Sequence, residues 1–180
     1  SGKTRVLTYR IAHMIEDLGI MPWEILAITF TNKAAREMRE RLDRLMGGLS
    51  TRGMWVCTFH AMCVRMLRID GERLGYPKNF TIYDADDSKR LVKSILQELH
   101  IDEKRFPVNA VQSRISSAKN ELLDPDDLME SCSTPADEVA AKVYKELQKR
   151  LKRANAMDFD DLLVNAYELL RNNPDVLEGY

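Results

Sequence analysis

Ile25-Leu26-Ala27-Ile28-Thr29-Phe30, running straight into Thr31-Asn32-Lys33-Ala34-Ala35-Arg36-Glu37-Met38, is the stretch that decides the fold. The first six residues carry no charge and suit a short strand buried on both faces, as in parallel sheets. The run from Asn32 to about Met46 is dense in helix formers, and Gly47-Gly48 stops it. Toward the C-terminus the pattern repeats: Met54-Trp55-Val56-Cys57-Thr58 is a second apolar run and Phe59 to Leu74 a second helical stretch. Toward the N-terminus, Val6, Leu7, Ile11, Met14, Ile15 and Leu18 recur at helical spacing until Gly19, so a helix starts at or just before Thr4. Strand, helix, strand, helix at this spacing predicts βαβ units with right-handed crossovers.

After Phe80-Thr81-Ile82-Tyr83, a candidate third strand, only helical periodicity remains. It runs through Leu91, Val92, Ile95, Leu96 and Leu99, then Val139, Val143, Leu147 and Leu151, then Phe159, Leu162, Leu163, Ala166 and Leu170. The expectation is an α/β protein with a partial parallel sheet over residues 1–83 and an all-helical module over residues 84–180, attached to the sheet or inserted into it. Asp124-Pro125 has the form of a helix start, and Asp158 looks like another cap.

The chain's 180 residues are enough to bury roughly 70% of the unfolded surface. With 44% hydrophobic and 31% charged residues and no apolar run near the ~20 residues that cross a bilayer, disorder and membrane spanning drop out. Three cysteines make no disulfide framework, and a reducing cytoplasm is the expected location. The net charge of −1 hides a split: residues 1–83 hold 13 basic and 8 acidic side chains, whereas residues 84–180 hold 14 and 20. A polyanion site is therefore expected in the first part.

Ser1-Gly2-Lys3-Thr4 opening a helix matches the second half of the phosphate-loop pattern G-x-x-x-x-G-K-[ST]. Helix N–H groups attract phosphate, Lys3 reaches its outer oxygens, and the Thr4 hydroxyl suits Mg²⁺. The bland alternative is an ordinary polar helix start; the βαβ pattern after it favours the loop. Thr29-Phe30-Thr31-Asn32-Lys33 and Thr58-Phe59-His60 lie at two strand ends, the edge where open α/β sheets bind ligands. There Thr and Asn suit phosphates and Phe stacks on bases. Helix capping by Thr31 or Asn32, with Phe30 in the core, explains the first of these equally well. The acidic clusters at Asp84/Asp86/Asp87, Asp124/Asp126/Asp127 and Asp158/Asp160/Asp161 read better as helix caps than as metal ligands.

Taken in order, Ser1-Gly2-Lys3-Thr4-Arg5-Val6-Leu7, Thr29 to Met38, and Thr58-Phe59-His60 resemble a superfamily 1 DNA helicase of the UvrD/Rep/PcrA type. Ser116-Ser117-Ala118-Lys119-Asn120-Glu121 and Met157-Asp158-Phe159-Asp160-Asp161-Leu162-Leu163 resemble segments of the helical subdomain that this family inserts into its first RecA-like domain. The resemblance spans essentially the whole chain. It implies a partial RecA-like phosphate-loop sheet with a helical insert, from an ATP-driven motor that moves 3′ to 5′ on single-stranded DNA and opens single-strand/duplex junctions. Repair or replication proteins would be further partners. By position, Gly2, Lys3, Thr4 and Arg5 would bind ATP, with Lys3 and Thr4 catalytic, Thr4 on Mg²⁺ and Arg5 near the adenine. Thr29, Phe30, Thr31, Asn32, Lys33, Thr58, Phe59 and His60 would contact DNA, and Lys119 would approach it near the junction. The family's first loop strand, its Asp-Glu motif and its second motor domain are expected to lie outside these residues, so the chain alone is expected to be inactive. The rival readings are a non-catalytic protein-interaction module and a different phosphate-loop NTPase.

Overall fold

A computed structural model describes residues 2–47 and 53–180. Contacts divide the chain into two compact units, Ser1–Met62 and Cys63–Tyr180. Ser1 of the phosphate-loop pattern and Gly48 of the glycine pair lie outside the described residues.

In the first unit, α1 (Gly2–Glu16) leads to β1 (Leu26–Thr29), α2 (Asn32–Met46), β2 (Trp55–Thr58) and the start of α3 (Phe59–Asp70). The two strands pair in parallel, Leu26 opposite Trp55 through Thr29 opposite Thr58. Helices α1 and α2 cover one face of the pair. Ile11, Ala35, Met38 and Leu42 pack there against Ala27 and Val56. Side chains alternate across a strand, so Leu26 and Ile28 point the other way and are 45% and 43% exposed. The strand expected to be buried on both faces is thus covered on one.

The second unit continues through α3 and carries β3 (Thr81–Tyr83), α4 (Ala85–Glu98), α5 (Val108–Asn120), α6 (Pro125–Glu130), α7 (Pro135–Arg153), β4 (Ala156–Asp158), α8 (Phe159–Asn172) and α9 (Pro174–Gly179). Helix α7 is its centre, packing on α4, α5, α6 and β4. Val143, Leu147 and Leu151 sit at the periodic positions read from the sequence and are buried with Val92, Ile95 and Leu96 of α4. Each acidic cluster is a cap: Asp84, Asp124 and Asp158 accept from the N–H of Asp87, Asp127 and Asp161, whose carboxylates accept in return from the cap N–H.

One expectation needs correction. The region after residue 84 is not all helical, because β4 pairs in parallel with β3, Thr81 opposite Ala156 through Tyr83 opposite Asp158. Three residues, all buried, show neither alternation nor a run long enough to read as a strand. The division of the chain by contacts falls within α3. Here Phe80 is buried under the guanidinium of Arg68, 4.0 Å from its ring centroid, and Arg68 donates to the Phe80 carbonyl at 2.7 Å.

Leu147→Ala, at the heart of α7, is expected to cost about 2–5 kcal/mol in urea unfolding. Leu122→Gly is expected to raise stability by up to about 1 kcal/mol, since Leu122 is half exposed and holds a left-handed φ of 59°. Equal midpoints for the two variants would contradict this picture of the core.

Candidate phosphate and nucleic-acid interface

Helix α1 begins at Gly2, and the first N–H groups of any helix lack acceptors within it. Gly2 and Lys3 are exposed at this positive end and Thr4 is half-buried. A Cβ on Gly2 would meet nothing within 4 Å, so the helix start is open to an approaching group. The Thr4 carbonyl accepts from the Thr8 hydroxyl at 2.8 Å, which keeps the first turn wound. This donor set fits the oxygens of a polyphosphate. For Mg²⁺ it offers the single hydroxyl of Thr4, a partial ligand set that phosphate oxygens would complete.

Beside this turn lies a cleft of about 560 Å³ whose lining includes Gly2, Arg5, Tyr9, Arg41 and Arg44. The Arg5 guanidinium lies 5.9 Å from the Tyr9 ring centroid. Sequence reading named Arg5 and missed Arg41 and Arg44. Those two sit at the far end of α2, and only the packing of α2 on α1 puts them on the same cleft.

The second cluster is built by strand register. Thr29 pairs with Thr58 in a parallel ladder, so both strand ends reach the same sheet edge and the Phe after each emerges there. Phe30 is fully exposed and Phe59 is 49% exposed. Asn32 and Lys33, in the first turn of α2, and His60, in the first turn of α3, are exposed beside them. Capping explains the threonines: Thr31 Oγ1 accepts from Ala34 N–H at 3.0 Å, and Thr58 Oγ1 accepts from Ala61 N–H at 3.2 Å. Thr29 Oγ1 donates to the Thr31 carbonyl at 3.0 Å. The bland reading of Thr31 as a cap is therefore right, and the bland reading of Phe30 as core is not. Two capped helix starts and two protruding rings make one edge that suits phosphates and bases together.

Lys119, expected at a DNA junction, lies in the second unit and is buried. Its side chain is 1% exposed, and Nζ lies 2.7 Å from Asp158 Oδ2 and 2.9 Å from Asp161 Oδ1. Burial opposes its charge, but the attraction of Asp161 and Asp158 and their hydrogen bonds outweigh it and hold the ammonium's pKa above the usual lysine value. An ammonium so enclosed is not presented to a phosphate. The signal was available in the sequence, because Lys119 falls four residues after Ile115, on the stripe that also holds Val111 and Ala118.

Comparison with known proteins agrees with the motif order. The UvrD/REP helicase N-terminal domain family matches residues 1–180. The chain is 48% identical over all of its length to an ATP-dependent DNA helicase PcrA of Leuconostoc citreum, 46% to that of Bacillus subtilis (strain 168) and 45% to that of Staphylococcus aureus (strain Mu50 / ATCC 700699). It spans 24% of the length of each of these relatives.

Thr31→Ala is expected to lower stability by about 1 kcal/mol through the lost α2 cap, whereas Phe30→Ala leaves the melting midpoint within error because its ring buries nothing. Thermal unfolding of both variants checks this; a marked destabilisation by Phe30→Ala would place that ring in the core after all.

Proposed function

We propose that this chain, which belongs to the UvrD/REP helicase N-terminal domain family, supplies the phosphate-gripping turn and the first single-strand DNA contacts of an ATP-dependent 3′–5′ DNA helicase. The observation that carries the reading is the shared sheet edge at Thr29 and Thr58, where exposed Phe30 and Phe59 stand beside two helix starts. Stacking on a base contributes about 1–3 kcal/mol and tolerates any sequence, which is what a strand-tracking motor requires. Thr29, Thr31, Asn32, Lys33, Thr58 and His60 surround these rings and would hold the sugar–phosphate backbone.

At the other site Gly2, Lys3, Thr4 and Arg5 would bind ATP, and the Thr4 hydroxyl would help hold its Mg²⁺. Bound Mg²⁺ would neutralise charge that builds up on the transferring group. Lys3 would bring one positive charge to the outer phosphate oxygens, and the turn around Gly2 would let the backbone come close. Stabilising the loose transition state of phosphoryl transfer takes several converging charges, so Lys3 and Thr4 together would bind nucleotide without turning it over. In this reading residues 1–83 belong to the motor domain and residues 84–180 to its helical insert, working in the cytoplasm at single-strand/duplex junctions with repair or replication proteins.

Two measurements on the 180-residue chain test this. Fluorescent ATP is expected to bind the unsubstituted chain, with affinity falling at least about tenfold in Lys3→Ala and no hydrolysis detectable in either. DNA-stimulated hydrolysis that Lys3→Ala abolishes would refute the inactivity of the chain. Single-stranded oligonucleotide is expected to bind with a negative salt slope and to lose about 1–3 kcal/mol in Phe30→Ala. Affinity that ignores both salt and Phe30→Ala would rule out the strand-end edge as the DNA site.

A further inference from the structure

The second unit buries two carboxylates against one ammonium. Asp158 and Asp161 are 11% and 6% exposed and lie within 3 Å of Lys119 Nζ. No second cation completes the set among the described residues. The groups that face the triad from other elements are Tyr144 and Gln148 on α7, Tyr76 in the segment before β3, and Asp124 beyond Tyr144. Tyr144 and Tyr76 are phenols whose pKa burial raises, so both stay neutral, and Asp124 adds negative charge. With all three members ionised the cluster holds a net negative charge at low exposure, offset in part by the cap N–H groups and the positive end of α8; a proton relieves the remainder.

Gln148 faces the same carboxylate and can pair with either protonation state. Its Nε2 donates to Asp161 Oδ1 at 3.2 Å, while its Oε1 is buried with no hydrogen-bond partner. Turned by half a rotation, the same amide would offer Oε1 to Asp161 and accept the proton of a carboxylic acid. In that orientation Gln148 Oε1 would accept from a protonated Asp161.

The triad also sits at a joint. Lys119 belongs to the last turn of α5, Asp158 ends β4 and caps α8, and Asp161 closes that cap from the first turn of α8. We propose that Lys119, Asp158 and Asp161 form a proton-linked latch of the helical unit, tightest when one proton sits on the carboxylate pair and looser between α5 and the β4–α8 corner when that proton leaves.

The site sets the direction. Burial, then the neighbouring Asp158, push the Asp161 carboxyl up to about 6 from 3.8 against the pull of Lys119. A folded pKa above the unfolded one means that folding takes up a proton. The contribution is therefore complete below the unfolded value and is lost as pH rises through about 6. At neutral pH the latch carries its excess charge and the joint is poised to open.

Carboxyl ¹³C NMR of the 180-residue chain tests this directly, together with hydrogen exchange corrected for its intrinsic pH dependence. Asp161 is expected to titrate near pH 6, and protection over residues 156–164 to fall at least about tenfold between about pH 5 and about pH 7.5. Asp161→Asn, which keeps the side chain's shape without its charge, is expected to flatten that dependence. An Asp161 midpoint below about 4.5, or protection that is flat with pH in the unsubstituted chain, would overturn the latch; the titration needs no substitution and so stands even if the Asn variant fails to fold.

Discussion

Parallel strand pairing is the constraint on which the rest of this structure depends. Two antiparallel strands can be joined by a tight turn, but a parallel partner is reached only by carrying the chain back along the full strand length. Among the described residues both sheets are parallel pairs. Between β1 and β2 the return is made by α2 and a short connection. Between β3 and β4 it is made by α4 through α7, so that the helical region is the crossover connection of a three-residue pair. What looks from the sequence like a separate helical module is closed at its base by Thr81 N–H donating to the Asn155 carbonyl at 2.9 Å and by the adjoining β3–β4 ladder.

The same constraint explains where the exposed chemistry collects. Parallel strands end on the same side, and each strand of the first unit is followed directly by a helix whose start needs capping. Thr31 and Thr58 commit their hydroxyls to that task, which leaves the neighbouring Phe30 and Phe59 outside the helix contacts and free to protrude. An aromatic ring at an exposed edge gains nothing from folding. Under the function proposed above, these rings would meet single-stranded nucleic acid.

Charge is handled in opposite ways at the two kinds of site. Around α1 and the end of α2, arginines line an open cleft where water screens them. Around Lys119 the charges are enclosed, and the excess of carboxylate over ammonium has no solvent to absorb it. A buried imbalance of this kind adds little to stability; under the proposal above it makes the junction of α5 with β4 and α8 responsive to the proton.

Helix α2 was legible to the residue, because Thr31, a run of good helix formers and Gly47 punctuate both ends, and the periodic stripes of α4 and α7 read correctly because amphipathic helices write their buried face into the spacing. The helix start at Gly2-Lys3-Thr4 and the two Thr-Phe strand ends were also visible, since they depend on neighbours in the chain. Strand β4 was not, being three buried residues without alternation. Lys119, given a DNA contact by the family resemblance, is instead buried, and the approach of Asp158 and Asp161, 39 and 42 positions later, makes that burial tolerable. Local spacing therefore determined the elements, the caps and the family likeness. Tertiary structure alone decided which strands pair, which face of β1 stays open, which arginines share a cleft and which charges are sealed away, because these depend on side chains that meet only after the chain has crossed over and returned.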